Sequence, residues 1–423
     1  MKEDFLHYIW KHKLFSQNNL ETTDGEKIDV LNTGTHNINA GPDFFNAKIK
    51  IGKTLWAGNV EMHLRSSDWQ KHNHHNDKEY DNTILHVVYD HDLKLTGSNS
   101  IRIPTLALRE RINDKFIARY ESLIGSRHRI PCEEEISKVS SFTVDTWITR
   151  MMVERLERKS AEILDRLKQN KNNWEETFYH LLAKNFGFKL NAQPFEELAR
   201  ALPLTVLAKH KNNLQQTEAM LYGVGGLLSK KHKEAYPASL KKEFDFLKAK
   251  FKLPEGILSP WKFLRLRPAN FPTVRLAQFA KLVHSSSHLF SKILECDRIE
   301  QVYELFDVAA SEYWNTHYVF GKTSTAQKKN LGVKAIENII INTAAPVVFS
   351  YGMHRGEEKF KDIALKFLEE TPSENNSIIE KWESLGIHSE DAFRSQALLE
   401  LMNEYCIEKK CLLCGIGNKL LSP

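Results

Sequence analysis

The sequence predicts an α/β domain over residues 1–108 and a large all-α region over 109–423. Strand-length apolar runs bounded by turn residues crowd into the first part of the chain. From about Leu108 onward, apolar residues recur every three and four positions. Pro203, Pro254, Pro260, Pro268, Pro272 and Pro346 punctuate that helical pattern.

The elements follow in order. Phe5, Leu6, Ile9, Trp10 and Leu14 have helical spacing, so Glu3 to Phe15 reads as a helix. Asp24-Gly25 marks a turn, and Ile28 to Leu31 a strand. FFNAKIKI (Phe44 to Ile51) is a second strand. Gly52-Lys53 turns the chain into a third, LWAGNVEMHL. A polar connection, with room for a short helix, spans Ser66 to Asp81. TILHVVY (Thr83 to Tyr89) is apolar on both faces, as a central strand is. Phe142 to Leu167 reads as a long amphipathic helix, and shorter ones follow to Glu408.

The bulk numbers exclude several classes. With 423 residues, 41% hydrophobic and 27% charged, the chain suits a globular protein of more than one core. A net charge of +5 permits a nucleic-acid partner without requiring one. MKEDFLHYIWKHKLF lacks the pattern of a signal peptide, and no apolar run has membrane length. Five unevenly spaced cysteines fit a reducing compartment. The expectation is a cytoplasmic protein with no membrane partner.

The first chemical constellation is Asp43, Glu61 and His63. Asn59, Glu61, His63 and Arg65 share one face of the third strand, because side chains alternate. Pairing through the Gly52 turn brings Asp43, at the start of the second strand, toward Glu61. Two carboxylates so placed suit Mg²⁺ or Mn²⁺. Pro42-Asp43, seventeen intervening residues and Glu61-Met62-His63 resemble the signature of the PD-(D/E)XK nucleases. The order of helix, three strands, a connection and a strand resembles their restriction-endonuclease-like αβββαβ core. The resemblance implies metal-dependent phosphodiester hydrolysis of DNA or RNA. It makes Asp43 and Glu61 the ligands, with Glu3 on the first helix assisting. The departure is His63 where that family carries lysine. A histidine there positions water or binds the ion, and the cation falls to Arg65 or Lys71. The whole chain also resembles an uncharacterised bacterial domain-of-unknown-function family. The likeness lies in the GPDF, VE-x-H, SDW and LHVVY phrases and in the cysteine-bearing tail.

The second constellation is a burst of imidazoles. His63, His72, His74, His75, His86 and His91 are six of 18 histidines, within 29 residues. Most read as a polar exit from the strand. His72 and Asp77 stand out as further metal ligands. The alternative is a metallohydrolase on a non-nucleic substrate, using His63, His72 or His74 with Asp77 and Zn²⁺, Mn²⁺ or Fe²⁺. A catalytically inactive nucleic-acid-binding scaffold is the other alternative.

Two further motifs remain. Cys406, Cys411 and Cys414 form C-x4-C-x2-C, followed by Gly415. The close pair and the glycine suit a metal-binding turn, with Cys132 first, or else Cys296, as fourth ligand and zinc or an iron–sulfur cluster as structural cofactor. In SPWKFLRLRPANFPTVR, Lys262, Arg265, Arg267 and Arg275 alternate with aromatics, as a single-stranded nucleic-acid contact would.

Overall fold

The computed structural model describes residues 1–94, 103–286 and 288–421. It divides into two compact units: Met1–Trp147 with Met402–Pro423, and Ile148–Leu401. The division expected after residue 108 therefore falls elsewhere. Two packing interactions explain this. Phe116 and Tyr120, beyond the last sheet strand, stack on Phe5 of the first helix, with centroids 5.1 and 3.8 Å apart. In the tail, Tyr405 meets Trp147 edge-on at 5.6 Å.

The first unit opens with α1 (Glu3–Lys11), which buries Phe5, Leu6, Tyr8, Ile9 and Trp10. Trp10 Nε1 donates to the Thr33 carbonyl at 3.0 Å, tying the helix to the sheet edge. The strands are β1 (Ile28–Asn32), β2 (Thr35–His36), β3 (Phe44–Ile51), β4 (Thr54–Arg65), β5 (Thr83–Asp90) and β6 (Thr105–Ala107). Their order is β1-β3-β4-β5-β6, with β2 also on β3. Pairing is antiparallel from β1 to β4, then parallel through β5 and β6. The result is a mixed sheet. At the β3–β4 turn, Gly52 has φ +59°, the left-handed conformation that glycine adopts at least cost. A bulge between Phe44 and Ala47 bends β3 where it meets Val60. Periodicity reveals β1, β3, β4 and β5. It misses β2 and β6, whose two and three residues are too few to show a period.

Between β4 and β5 lie α2 (Asp68–Lys71) and two single-turn helices, His74–Asn76 and Lys78–Tyr80. This return makes β5 parallel to β4. Ile84 to Val88 is buried at every position, as a strand covered on both faces requires. Next comes α3 (Asp114–Gly125), then α4 (Ser141–Gln169), the long helix expected from Phe142.

Among the described residues the second unit is mainly helical, with a small antiparallel pair, His317–Val319 with Lys322–Thr323, and isolated bridges at Ala309–Asn330 and Pro372–Asp391. Helices Leu214–Val224 and Ala235–Phe251 pack closely at Gly223, where an added Cβ would lie 2.2 Å from the Phe244 ring. Pro194 lies inside Phe188–Ala201, and Asn191 leaves helical geometry. The Asn191 amide exchanges two hydrogen bonds with the Lys262 backbone, at 2.9 and 2.8 Å. Those bonds anchor the segment before Pro268. Among the described residues, no helix is long and apolar enough to cross a membrane.

Candidate metal centre

The β3–β4 hairpin brings Asp43 to Glu61 through the backbone. The Asp43 N–H donates to Glu61 Oε2 at 3.2 Å, and the Met62 N–H donates to Asp43 Oδ2 at 2.9 Å. His7, on α1, sets Nε2 3.3 Å from Asp43 Oδ2. Glu3 stands one turn before His7, on the same helix face. Its carboxyl is raised by burial and then by the charge of Asp43, while His7 and His72 work the other way. Three acids, Glu3, Asp43 and Glu61, therefore share one electrostatic neighbourhood.

Imidazoles close around the other Glu61 oxygen. Glu61 Oε1 is 3.3 Å from His74 Nε2 and 3.7 Å from His63 Nε2. His63 Nε2 is 3.1 Å from His72 Nδ1. Around an ion with metal–nitrogen bonds of about 2.0–2.1 Å, tetrahedral ligand atoms stand about 3.4 Å apart. The three separations here bracket that spacing. Among the described residues, His63, His72 and His74 form the group whose ligand atoms all lie within 4.8 Å of one another. Imidazole nitrogens with a carboxylate suit Zn²⁺, Mn²⁺ or Fe²⁺ better than Mg²⁺.

Behind these residues lies a supporting layer. His86 stands opposite Glu61 in the parallel β4–β5 register. Its Nε2 is 2.9 Å from His63 Nδ1. A His63 tautomer with the proton on Nδ1 donates to His86 and leaves the Nε2 lone pair facing His72 and Glu61. Tyr80 lies tilted against His74, with centroids 3.9 Å apart, and Trp69 sets its ring edge-on to His63, His74 and His86. Aromatic walls of this kind hold imidazole rings in one orientation.

The electrostatics match the crowding. Burial, which leaves only 5% of the residue exposed to water, and then the Asp43 charge push the Glu61 carboxyl far above the usual range. Burial, followed by His86, His74 and His72, lowers His63 to about 3. Burial and His74 lower His86 to about 3 as well. His63 is thus a neutral lone-pair donor, without the charge that lysine would carry there. His7 behaves oppositely. Burial opposes its charge, but the Asp43 hydrogen bond and the charges of Asp43, Glu3 and Asp4 raise its pKa.

Other expected site residues fall outside this cluster. Asp77 is exposed, and its Oδ1 accepts the Glu79 N–H at 3.0 Å, capping a turn. It is not in the converging group, and the polar exit loop contributes His74 instead. Arg65 is exposed at the end of β4, its backbone N–H bonded to Asp68. Lys71 pairs with Asp68 Oδ1 at 2.5 Å. From sequence, His7 is passed over and His86 counts only as one imidazole of the burst. The Glu3–His7 spacing of four residues on a helix was a usable signal for the first. His86 gave none, because its role depends on strand register.

The cysteines and the basic segment lie elsewhere. Cys132, Cys406, Cys411 and Cys414 are all buried, all in the first unit and free of disulfides. Lys262, Arg265 and Arg267 are exposed in the second unit. Arg275 is not a surface contact. It is 6% exposed, bonds Gln278 and Asn270 at 3.0 and 2.6 Å, and stacks on Phe188. It lies in the first turn of the buried helix Pro272–Ser285, so this arginine packs in the core while the other three stay at the surface.

The chain belongs to the family described as protein of unknown function (DUF2851), whose model matches residues 3–377. That span includes Cys132 and every residue of the histidine–carboxylate cluster. No curated protein and no solved structure matches the chain.

Proposed function

We propose that this protein is a metal-dependent hydrolase of phosphodiester bonds in DNA or RNA. The observation that carries the reading is the convergence of His63, His72 and His74, whose ligand atoms lie within 4.8 Å of one another, with Glu61 Oε1 alongside at 3.7 Å from His63 Nε2 and 3.3 Å from His74 Nε2. Glu61, His63, His72 and His74 would hold a Mn²⁺ or Zn²⁺ ion. Such an ion polarises a phosphoryl oxygen and acidifies a bound water. Asp43 holds Glu61 through its own N–H and faces the same centre. His7 on α1, whose pKa is raised by Asp43, stands beside Asp43 and would supply a positive charge in place of the missing lysine.

Two features favour a phosphodiester substrate. The strand order, with antiparallel β1, β3 and β4 followed by parallel β5, resembles the PD-(D/E)XK core. In that comparison Asp43 opens the second core strand and Glu61-x-His63 lies on the third. Second, a cavity of about 580 Å³ opens beside α1, lined by Lys2, His7, Lys11, His36, Tyr120 and Lys410 among others. His7 links its wall to Asp43. Lysines for phosphates and an aromatic for a base are what a nucleic-acid strand requires.

The test is cleavage of single- and double-stranded DNA and RNA by metal-stripped protein, titrated separately with Mg²⁺, Mn²⁺ and Zn²⁺. Glu61→Gln and His72→Ala are run alongside. The expected result is cleavage that requires Mn²⁺ or Zn²⁺ and disappears in both variants. Equal cleavage by Glu61→Gln, or none with any ion, overturns the reading.

A further inference from the structure

The β3–β4 hairpin runs on past the metal centre and carries a second set of side chains on the same sheet face. β4 pairs with β5 from Asn59 onward, so Thr54 to Ala57 lie beyond that pairing, and all four are exposed. Side chains alternate along β4, which puts Leu55, Ala57, Asn59, Glu61 and His63 on one face. In the β3–β4 register Lys50 lies opposite Leu55, and Lys48 opposite Ala57. Cross-strand partners share a face. Lys48 and Lys50 therefore stand on the face that carries Glu61 and His63, and Lys53 follows at the turn.

The bulge in β3 produces this placement. β3 runs three residues, from Phe44 to Ala47, where β4 runs two, from Val60 to Gly58. The extra residue moves every later β3 side chain to the other face. Asn46 takes φ +57° there, a left-handed conformation that asparagine tolerates. Without the bulge, Lys48 and Lys50 would fall on the core face and Ile49 on the opposite one. With it, Ile49 is fully buried and both lysines are exposed. Leu55, 60% exposed, gives them an apolar neighbour. Nearby acids are Asp29, opposite Lys50 on β1, and Glu26, beside the Gly52 turn.

We infer that Lys48, Lys50 and Lys53 form a track for the phosphates of a single nucleic-acid strand whose scissile bond lies at the metal centre; the placing of that bond rests on the hydrolase reading. At a rise of about 3.4 Å per residue, Ala57 stands about 14 Å and Leu55 about 20 Å from Glu61 along the strand, room for several nucleotides. The lysines offer point charges for phosphates, and Leu55 an apolar surface against which a base can lie. The burial of the centre selects a single strand. Glu61 is 5% exposed and His63 1%, so the scissile phosphate must pass below the surface to reach the ion. A flexible strand bends to do so, whereas a duplex must first unpair and unstack.

The experiment is fluorescence anisotropy of metal-free, full-length protein with labelled single-stranded DNA, single-stranded RNA and duplex DNA, over a series of salt concentrations. A triple variant, Lys48→Gln with Lys50→Gln and Lys53→Gln, removes the three charges while keeping polar side chains. Lys211→Gln, at an exposed lysine of the second unit, is the control. The wild type should bind a single strand more tightly than the duplex. The triple variant should bind it at least about tenfold more weakly at low salt, with the slope of log K against log salt shallower by about 2, since each phosphate contact on a single strand contributes about 0.7. Lys211→Gln should bind as the wild type does. Should the triple variant fail to fold, Lys48→Gln and Lys50→Gln singly take its place, each expected to flatten the slope by about 0.7. No binding of a single strand, tighter binding of the duplex, an unchanged affinity and slope in the lysine variants, or an equal loss in Lys211→Gln overturns the inference. Binding is read without metal, so the two proposals fail separately. Lysine-dependent binding without cleavage under any ion removes the hydrolase reading and leaves the track, whereas metal-dependent cleavage with unchanged binding in the triple variant removes the track alone.

Discussion

The two units handle buried charge in opposite ways. In the helical unit, Glu400 and Glu196 meet cations, while the buried Glu218 instead accepts from the Tyr236 hydroxyl. Glu400 accepts bonds from Arg158 Nε and Nη2 at 2.9 and 2.6 Å, and lies 3.7 Å from Arg155 Nη1. Glu196 meets Arg166, Arg200 and Lys184. In the α/β unit, like groups face one another: Glu61 beside Asp43 and Glu3, and His63 between His86 and His72. Paired charges hold helices in place. Crowded acids and imidazoles, largely neutralised by burial, cost stability in the apo protein, and under the proposed reading that cost is recovered when a metal ion binds. The contrast is the one the proposed hydrolase reading requires, with a crowded site in the α/β unit and paired charges in the helical one.

That comparison is open to direct attack, beginning with the largest effect. Glu61→Gln keeps the shape and removes the anionic ligand. Metal-dependent cleavage should fall on the order of 10³-fold, equivalent to several kcal/mol of lost transition-state stabilisation, while thermal stability without metal stays level or rises. Parallel rate and melting measurements check both halves. A large loss of stability in the apo variant would make Glu61 structural.

Glu400→Ala should do the reverse. It leaves Arg155 buried without its carboxylate and should lower stability by about 3 kcal/mol in denaturant unfolding. Cleavage per folded molecule should not change.

His86→Phe tests the supporting layer behind His63. It removes the hydrogen-bond partner of Nδ1 and should weaken Mn²⁺ or Zn²⁺ binding by about 10–100-fold in calorimetry. His86→Gln should restore part of the loss. Equal affinity in His86→Phe would show that the register contact does not orient His63.

Acid titration sharpens the contrast further. Folded His63 and His86 take up protons only near pH 3, whereas an unfolded histidine does so near 6.5. The unfolded chain therefore binds more protons between those values. The stability these two residues provide is complete above pH 6.5 and is lost as pH falls toward 3. Unfolding midpoints measured across that range should drop with acid, and less steeply in a His63→Phe, His86→Phe double variant. The smallest effect belongs to Lys71→Ala. Its partner Asp68 lies at the surface, so stability should shift by less than about 0.5 kcal/mol and cleavage should not change.

Much of the α/β unit was legible before any coordinates. The alternation around Glu61 and His63, the Gly52 turn and the doubly apolar Thr83–Tyr89 run determine the hairpin and the central strand by local rules. The C-x4-C-x2-C spacing likewise marks a thiol cluster without reference to the fold. Tertiary structure alone decided which imidazoles converge. His72 and His74 reach His63 because the chain after β4 folds back over the strand end, and His86 reaches it because β5 pairs in parallel at one register. Periodicity within a segment carries no information about register between segments. The same limit hid the burial of Arg275, whose neighbours Phe188, Asn270 and Gln278 come from two helices and the turn between them. It also hid the joining of residues 402–423 to the first unit, which depends on Trp147 and Tyr405 meeting across most of the chain.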